Sequence, residues 1–177
     1  MKVIIAAVSS INGKITKGTS PNIYSWTSKE DTKLFFSLIK KHNLIVMGSK
    51  TYEAARRVIK HKKNKLRIIL TRNPKKYLKE TITGILEFTS DSPLELTKKI
   101  ESRGYREMLL VGGATVNSLF LKSHLVDELH LALEPKIFGE GKGLVNEERL
   151  EVKLKLISMQ KLNTQGTLLL KYAVQKK

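Results

Sequence analysis

The chain has 177 residues, a usual length for one domain, and we treat residues 1–177 as a single unit. It contains no cysteine, which excludes disulfides, thiolate catalysis and cysteine-ligated zinc or iron–sulfur centres. The formal net charge of +17 favours anionic partners, either phosphorylated small molecules or nucleic acid, although a solvated lysine-rich surface produces the same balance. No apolar run reaches the roughly 18 residues of a membrane helix, and we expect a cytoplasmic protein.

The first half of the sequence alternates strand and helix patterns. Residues 3–9 form an apolar, β-branched run with no convincing cleavage site after it, which predicts a buried strand rather than a signal peptide. A loop is predicted over 10–25. A helix is predicted over 27–41, because its apolar side chains repeat at helical spacing, at Leu34, Phe35, Leu38 and Ile39. The other elements predicted in this half are strands at 44–47, 66–70 and 84–88, and a helix capped by Ser49 that ends near 59.

The second half continues the alternation and ends in strands. Its predicted elements are, in chain order, a helix at 93–102, a strand at 108–111, a helix at 114–121, and strands at 127–134, 152–159 and 167–174. Strands separated by helices indicate an α/β fold with a mostly parallel central sheet and helices on both faces. The last two strands predict an antiparallel addition at one edge of that sheet.

Three turns follow predicted parallel strands, whose carboxyl ends form the rim of the sheet where ligands bind. The turns are Gly48-Ser49-Lys50-Thr51, Thr71-Arg72-Asn73 and Gly112-Gly113-Ala114-Thr115. Glycine allows a ligand to come close, helix starts offer free N–H groups to phosphate, and Lys50 and Arg72 add cationic contacts. Together the turns could hold an extended dinucleotide, but ordinary strand-to-helix turns use the same residue types. The GxGxxG pattern of a Rossmann site is absent.

Asp31 is the candidate catalytic residue. It lies one turn before Leu34 and Phe35, so its side chain points to the buried face of the predicted helix. Burial would raise the pKa of its carboxyl group and let it supply a proton. The alternative is structural, because an acidic residue three positions after Ser28 is typical of a capped helix start. Trp26, just before this helix, forms either one wall of a pocket or a packing contact at the helix start.

The four histidines do not have the spacing of a metal site, and we predict no bound metal. His130 lies in an alternating strand pattern and is predicted to face solvent. The sequence contains neither a nucleophile elbow nor a Walker-type phosphate loop.

Segments along nearly the whole chain resemble the motifs of dihydrofolate reductase-like proteins, in the same order. Asn12-Gly13-Lys14-Ile15 resembles the S-x-D-G-x-I/V motif after the first strand, and Trp26 followed by Asp31 resembles the family's tryptophan and catalytic acid. The segments 45–53, 68–73 and 110–114 resemble V-M-G-R-K-T-W/Y-E, I-V-L-S/T-R and I-G-G-A/G. The segments 126–129 and 135–139 are most similar to the reductase domain of the bifunctional riboflavin deaminase–reductase.

This resemblance implies the dihydrofolate reductase-like fold and NADPH bound in an extended form. It implies that the nicotinamide borders Ala6 and Ala7, that the 2′-phosphate end meets Lys50, Thr51, Thr71 and Arg72, and that the pyrophosphate meets Gly112, Gly113, Ala114 and Thr115. Gly48 and Ser49 are further expected cofactor residues. The expected substrate-binding residues are Trp26, Asp31, Phe35 and Lys65, with Asp31 as the catalytic acid. A homodimer is expected only by analogy with the riboflavin-type relatives.

Departures from the two patterns leave the substrate open. Lys65 stands where folate enzymes have the arginine that grips the glutamate tail, and lysine is a poorer bidentate partner. The threonine that backs the acid in folate enzymes falls near Ala132, and Asn12-Gly13 replaces Asp-Gly. The G-x-G-T-V…D-D-P stretch of riboflavin reductases is absent.

The sequence therefore predicts an NADPH-dependent reductase that transfers hydride to an aminopyrimidine or pterin-type substrate. The C-terminal segments favour 5-amino-6-(5-phosphoribosylamino)uracil reductase activity in riboflavin biosynthesis, and dihydrofolate reductase activity is the alternative. A catalytically idle relative that still binds nucleotide is a further possibility. The alternative of another class is a basic nucleic-acid-binding module without catalysis, which predicts an affinity that falls steeply with added salt.

Overall fold

The computed structural model describes residues 1–20, 22 and 25–176, and it has the predicted α/β fold. Its strands are β1 (Lys2–Ser10), β2 (Leu44–Gly48), β3 (Leu66–Leu70), β4 (Leu86–Thr89), β5 (Glu107–Leu110), β6 (Glu128–Glu134), β7 (Lys153–Lys161) and β8 (Leu168–Gln175). Its α-helices are α1 (Lys29–Lys41), α2 (Ser49–Ala55), α3 (Pro93–Ser102) and α4 (Ala114–Lys122), and a 3-10 helix covers Pro74–Glu80. No helix in this described part of the chain is long and apolar enough to cross a membrane.

All the strands form one sheet in the order β4-β3-β2-β5-β1-β6-β8-β7. The first six strands in this order pair in parallel, so their carboxyl ends lie on one rim. Strand β8 pairs antiparallel with both β6 and β7. Because β8 runs in the opposite direction, its first residue, Leu168, lies beside Leu133 near the carboxyl end of β6. The predicted parallel sheet with an antiparallel C-terminal edge is confirmed.

Apolar side chains cover both faces of the parallel part of the sheet. One face packs against α3 and α4, in a cluster that includes Leu96, Ile100, Val116 and Phe120. The other face carries α1 and α2, in a cluster that includes Ile45, Tyr52, Ile69 and Leu86, with Leu38 and Ile39 of α1 packed against it. Strands buried on both faces read as continuous apolar runs, which is why β1, β2 and β5 are recognisable in the sequence.

Serine caps set the starts of two helices. The Ser92 hydroxyl accepts a hydrogen bond from the backbone N–H of Glu95, and the Glu95 carboxylate accepts one from the backbone N–H of Ser92. Helix α3 therefore has a complete capping box. Ser28 accepts a hydrogen bond from the N–H of Asp31 at the start of α1, which orients Asp31. The predicted loop 10–25 includes residues 21, 23 and 24, which lie outside the described residues.

Two local predictions are wrong. Helix α2 begins after Gly48, not after a Ser49 cap, and ends at Ala55 rather than near 59. Consecutive arginines follow Ala55, and the chain turns there through bonds from the N–H groups of Val58 and Ile59 to the Ala55 carbonyl. The 3-10 helix after Pro74 was not anticipated, because seven residues with four charged side chains carry no periodic apolar signal.

His130 does not face solvent as predicted. Its side chain is 9% exposed, and Nε2 lies 2.8 Å from Oε2 of Glu128. Strand β6 is an interior strand, and both of its faces carry buried residues, such as Leu129 and Ala132. The alternation of leucine with other residues therefore does not mark a solvent-facing side.

Candidate active site

The three turns predicted to form one rim follow neighbouring strands, since β3, β2 and β5 are adjacent in the sheet. The N–H of Gly48 donates to the carbonyl of Gly112 at 2.8 Å, which joins the turns after β2 and β5. A Cβ atom on Gly48 would lie 3.0 Å from Cγ2 of Val116, and one on Gly113 would lie 3.3 Å from Oγ1 of Thr51. Glycine at both positions thus allows the turns to touch. Gly112 has a φ of 87°, a left-handed conformation that favours glycine.

The rim presents donors and cations to solvent. The N-cap of α4 is Gly113, so no side chain accepts the free N–H groups at that helix start. Ala114 is buried behind Gly113, and Thr115 is exposed. Lys50 and Arg72 are exposed and form no ion pair with a described residue. Free N–H groups and unpaired cations on one rim suit a phosphorylated ligand.

Ala6 and Ala7, the two residues expected to border the nicotinamide, lie on β1. Ala6 is buried on the face that carries α1 and α2, whereas Ala7 packs against the cluster on the opposite face. On β1, Ala6 pairs with His130 and Ala7 with Leu131 of the neighbouring strand β6, in the interior of the sheet. Their small side chains leave room near the carboxyl half of β1.

Asp31 is placed at the start of α1 with its carboxyl group free of capping. In a capping box, the carboxylate would accept from the N–H of Ser28. Here that N–H donates instead to Oε1 of Glu134 at 2.7 Å. Asp31 is 6% exposed, and no described residue forms a hydrogen bond with its carboxyl group. A helix-capping role therefore explains the hydrogen bond from the Asp31 N–H to Ser28, but it does not explain why the Asp31 carboxyl group is buried.

Glu134 is the charged residue that acts on the pKa of Asp31. It is 2% exposed at the end of β6, and its second oxygen, Oε2, accepts from the hydroxyl of Thr167 at 3.0 Å. Thr167 is held in turn by Asn163, whose Oδ1 accepts from the Thr167 N–H at 3.0 Å. Burial, and then the negative charge of Glu134, raises the pKa of Asp31 to about 7. A carboxyl group with such a pKa can hold a proton at neutral pH and give it up.

Aromatic side chains line the chain on either side of Asp31. Trp26 is 3% exposed, and its ring lies edge-on to that of Phe138 at a centroid distance of 5.2 Å. Its carbonyl accepts from Nζ of Lys136 at 2.5 Å, whereas its buried Nε1 has no partner among the described residues. Phe35 is half-buried one turn after Asp31. Trp26 thus fixes the approach to α1 and leaves one indole donor unused.

Lys65, the fourth expected substrate residue, contacts the end of a helix. Its ammonium group donates to the carbonyls of Ile39, at 2.5 Å, and of His42, both at the end of α1. The side chain is 5% exposed. Burial, followed by the nearby charge of Arg67, lowers the pKa of Lys65. The structure therefore gives Lys65 a helix-anchoring contact and does not bring it together with Asp31.

Replacing Lys65 with methionine is expected to lower the free energy of unfolding by about 2 kcal/mol, because buried carbonyls at the end of α1 lose their donor. Urea denaturation measures this difference. Lys63→Met, at an exposed position on the same connection, is the matched control and should stay within roughly 0.5 kcal/mol of the wild type. Equal stability of the two variants would contradict the anchoring role.

Sequence reasoning did not identify Glu134, Thr167 or Ser28 as part of the site. The resemblance placed the partner of the acid near Ala132, but the hydroxyl in the network comes from Thr167, before β8. The alternation in β6 gave no signal for Glu134, because it placed Glu134 on the same side as His130, which was predicted to face solvent. The structure shows that His130, Ala132 and Glu134 are all buried, and a buried acidic residue on a strand is unusual enough to indicate a site.

Comparison with known proteins identifies the family. The family model described as the RibD C-terminal domain matches residues 1–168. The chain belongs to this family. The residues matched to the RibD C-terminal domain end one position after Thr167, so they include the rim, Asp31, Glu134 and Thr167.

A curated relative and three solved structures are similar to this RibD C-terminal domain chain. The uncharacterized protein YyaP of Bacillus subtilis is 32% identical over 71 residues, which are 40% of this chain and 38% of that protein. A pyrimidine reductase-like protein from Corynebacterium diphtheriae superposes with a TM-score of 0.81 at 18% identity, covering 99% of this chain and 92% of the other.

The other two structures share the fold at similar identity. The diaminohydroxyphosphoribosylaminopyrimidine deaminase/5-amino-6-(5-phosphoribosylamino)uracil reductase of Thermotoga maritima has a TM-score of 0.74 and 16% identity, covering 97% of this chain but only 56% of that longer protein. Dihydrofolate reductase from Enterococcus faecalis, solved with NADP(H), has a TM-score of 0.68 and 18% identity, with coverages of 98% and 96%. The RibD C-terminal domain chain thus has the dihydrofolate reductase-like fold.

Proposed function

We propose that the protein is an NADPH-dependent reductase that reduces a carbon–nitrogen double bond in an aminopyrimidine or pterin-type substrate. The observation that carries the proposal is the buried, uncapped carboxyl group of Asp31, whose pKa is raised to about 7 beside Glu134. Membership of the RibD C-terminal domain family favours 5-amino-6-(5-phosphoribosylamino)uracil as the substrate. In its open imine form this substrate has a carbon–nitrogen double bond between the sugar and the pyrimidine.

The rim residues fit NADPH in chemical character. Ala6 and Ala7 would border the nicotinamide, and the start of α4 with Gly112, Gly113, Ala114 and Thr115 would meet the pyrophosphate. Lys50, Thr51, Thr71 and Arg72 would hold the 2′-phosphate end, with Gly48 and Ser49 beneath it. The uncapped start of α4 and the unpaired Lys50 and Arg72 are the features of this chain that support the assignment.

The residues of this chain act on the substrate nitrogen. When bound, NADPH supplies the hydride that the substrate carbon receives. Asp31 holds a proton and donates it to the nitrogen, so the π pair of the double bond becomes an N–H bond and Asp31 is left as a carboxylate. Water returns the proton before the next turnover. Glu134 raises the proton affinity of Asp31, and Trp26 and Phe35 form apolar walls that exclude water.

Arg72→Ala is expected to weaken NADPH binding by about 10- to 100-fold, the effect of losing one charge-assisted hydrogen bond to phosphate. The dissociation constant for NADH, which has no 2′-phosphate, should not change. Isothermal titration calorimetry with both cofactors measures the difference. Lys75→Ala, at an exposed lysine nearby, is the matched control. Equal losses for both cofactors would contradict the 2′-phosphate contact.

The test of the proposed activity is NADPH oxidation, followed by absorbance, with 5-amino-6-(5-phosphoribosylamino)uracil and with dihydrofolate. Turnover of the pyrimidine supports the proposal. Turnover of dihydrofolate alone supports the second candidate, dihydrofolate reductase, which is favoured by the position of Asp31 on α1 and by the full-length superposition on that enzyme. If NADPH does not bind in calorimetry, the reductase proposal is wrong, and the nucleic-acid-binding alternative becomes the one to test.

A homodimer is part of the proposal. All nine residues of β7 are exposed, and four of them are large and apolar: Leu154, Leu156, Ile157 and Met159. An exposed apolar edge of this kind is usually covered in a soluble protein. Light scattering measures the mass in solution, and a monomer would contradict this part of the proposal.

A further inference from the structure

The connection between α2 and β3 is strongly basic. Residues 56–65 contain six lysines and arginines and no aspartate or glutamate. Among the described residues, only Arg56 has a carboxylate nearby, Glu80 at 4.0 Å. Residues 56–64 contain no helix or strand, and most of their side chains are exposed. The connection thus forms a cationic surface, which we call the basic connection, directly before β3.

Arg67 is the second residue of β3, two positions after this basic connection, and it is buried without a partner among the described residues. Its register neighbours, Ile45 and Leu86, belong to the cluster under α1 and α2, so the Arg67 side chain lies on that face of the sheet. It is 6% exposed, and its buried Nη1 has no acceptor among the described residues. Burial alone lowers the pKa of Arg67, with no carboxylate to oppose it. The positive charge of Arg67 also lowers the pKa of another cation, Lys65.

An unpaired buried guanidinium is costly, on the order of several kcal/mol, and proteins normally pair such a group with a carboxylate or phosphate. Lys65 cannot share the role, because its donors already contact the carbonyls of α1. A planar guanidinium binds phosphate and carboxylate in a bidentate geometry. The unpaired guanidinium of Arg67 and the neighbouring basic connection, which contains no acidic residue, therefore favour a small oxyanion as the ligand.

The position of Arg67 separates it from the cofactor residues. Thr71 and Arg72 lie at the carboxyl end of β3, and four residues of extended strand, about 13 Å, separate Arg67 from Thr71. Helix α1 runs from Asp31 across the same face towards Lys65, and Leu38, seven residues after Asp31, is about 10 Å further along its axis. A ligand that lies along α1 from Asp31 would place its far end near Arg67.

We propose that Arg67 is the centre of an oxyanion site that receives a phosphate or carboxylate group at the end of the substrate remote from the reduced bond. The proposal of a substrate group rests on the proposed reductase function, whereas the oxyanion site itself does not. The basic connection attracts the anion, and Arg67 binds it. The reductase residues Asp31 and Glu134 take no part in this contact.

The experiment measures the melting temperature with inorganic phosphate, with ribose 5-phosphate and with potassium chloride at matched ionic strength. Phosphate at ten times its dissociation constant should raise the melting temperature of the wild type by roughly 4 °C relative to chloride. Arg67→Met should lose this shift, and Lys63→Met, which removes a charge from the basic connection, should keep most of it. Arg67→Gln is the second variant and carries the same expectation if Arg67→Met does not fold.

The variants in chloride alone give a second, independent result. Because an unpaired buried charge is removed, Arg67→Met should be at least as stable as the wild type. A lower melting temperature of Arg67→Met, with no anion effect in the wild type, would show that Arg67 is a structural core residue and would overturn the proposal. Equal phosphate shifts in the wild type, Arg67→Met and Lys63→Met would also overturn it, since they indicate general screening of the positive charge.

The two anions distinguish free phosphate from a substrate group. A larger shift with ribose 5-phosphate than with phosphate supports a sugar phosphate as the ligand, and a shift with phosphate alone restricts the site to the free ion and overturns the substrate assignment. Where the reductase assay shows turnover, Arg67→Met should raise the KM for the phosphorylated pyrimidine by about tenfold or more and leave that for NADPH unchanged. Absence of reductase activity would leave the melting-temperature result valid, so failures of the two proposals are distinguishable.

Discussion

With Asp31 replaced by asparagine, we expect the turnover number of the reductase reaction to fall by about 10²- to 10⁴-fold, the usual contribution of a positioned proton donor. Asparagine matches the shape of the aspartic acid side chain but cannot release a proton to the substrate nitrogen. The dissociation constant for NADPH should stay unchanged, because the residues proposed to hold its phosphates lie on the turns after β2, β3 and β5. Single-turnover kinetics and calorimetry measure the two quantities separately.

Asp91→Asn is the matched control for this substitution. Asp91 is paired with Lys99 near the start of α3, on the opposite face of the sheet from α1. Its loss should leave turnover unchanged. A turnover number within about threefold of the wild type for Asp31→Asn would exclude Asp31 as the acid.

Turnover is expected to fall as the pH rises through 7, and stability is expected to fall as the pH rises from about 4 to about 7, because both depend on the proton of Asp31. The pKa of this carboxyl group is about 7 in the folded protein against 3.8 in the unfolded chain. The folded state therefore binds the proton more tightly, and the resulting stability is complete below pH 3.8 and is lost as the pH rises to about 7. The loss amounts to at most about 4 kcal/mol, from 1.36 kcal/mol per pKa unit.

Asp31→Asn removes this titration, so its free energy of unfolding should exceed that of the wild type at pH 8 and approach it at pH 4. Glu134→Gln removes the nearby negative charge, which lowers the pKa of Asp31 and shifts the fall in turnover to lower pH. Carboxyl-carbon NMR titration of Asp31 measures the same shift without substrate. A pH profile that is identical in the wild type and Glu134→Gln would contradict the role assigned to Glu134.

Local patterns in the sequence predict the parts of the fold that local chemistry determines. Helix α3 has its predicted bounds because Ser92, Pro93 and Glu95 fix its start by themselves. The buried face of α1 follows from helical spacing, and that spacing also places Asp31 towards the sheet. The parallel pairing of the first six strands follows from their alternation with helices, and the antiparallel edge follows from the two strand patterns without a helix between them, whereas the order of the strands in the sheet was not predicted.

The surroundings of Asp31 depend on contacts that are distant in the sequence. Ser28 and Glu134 are 106 positions apart, and Glu134 and Thr167 are 33 apart. A pattern within one segment cannot show that the N–H of Ser28 donates to Glu134 and so leaves Asp31 uncapped. The same limit applies to Lys65. Its position matches a ligand-binding arginine of folate enzymes, but the sequence does not indicate its hydrogen bonds to the carbonyls at the end of α1.

The reversed direction of β8 affects the order in which the site can assemble. The three turns of the proposed cofactor rim, after β2, β3 and β5, are synthesised long before the hairpin of β7 and β8. Thr167 reaches Glu134 only when that hairpin docks beside β6. On the ribosome, Asp31 and Glu134 would therefore both be synthesised before Thr167 can donate to Oε2 of Glu134. A nascent chain that lacks the docked hairpin would contain the proposed acid and its charged neighbour without the hydroxyl that holds Glu134 in place.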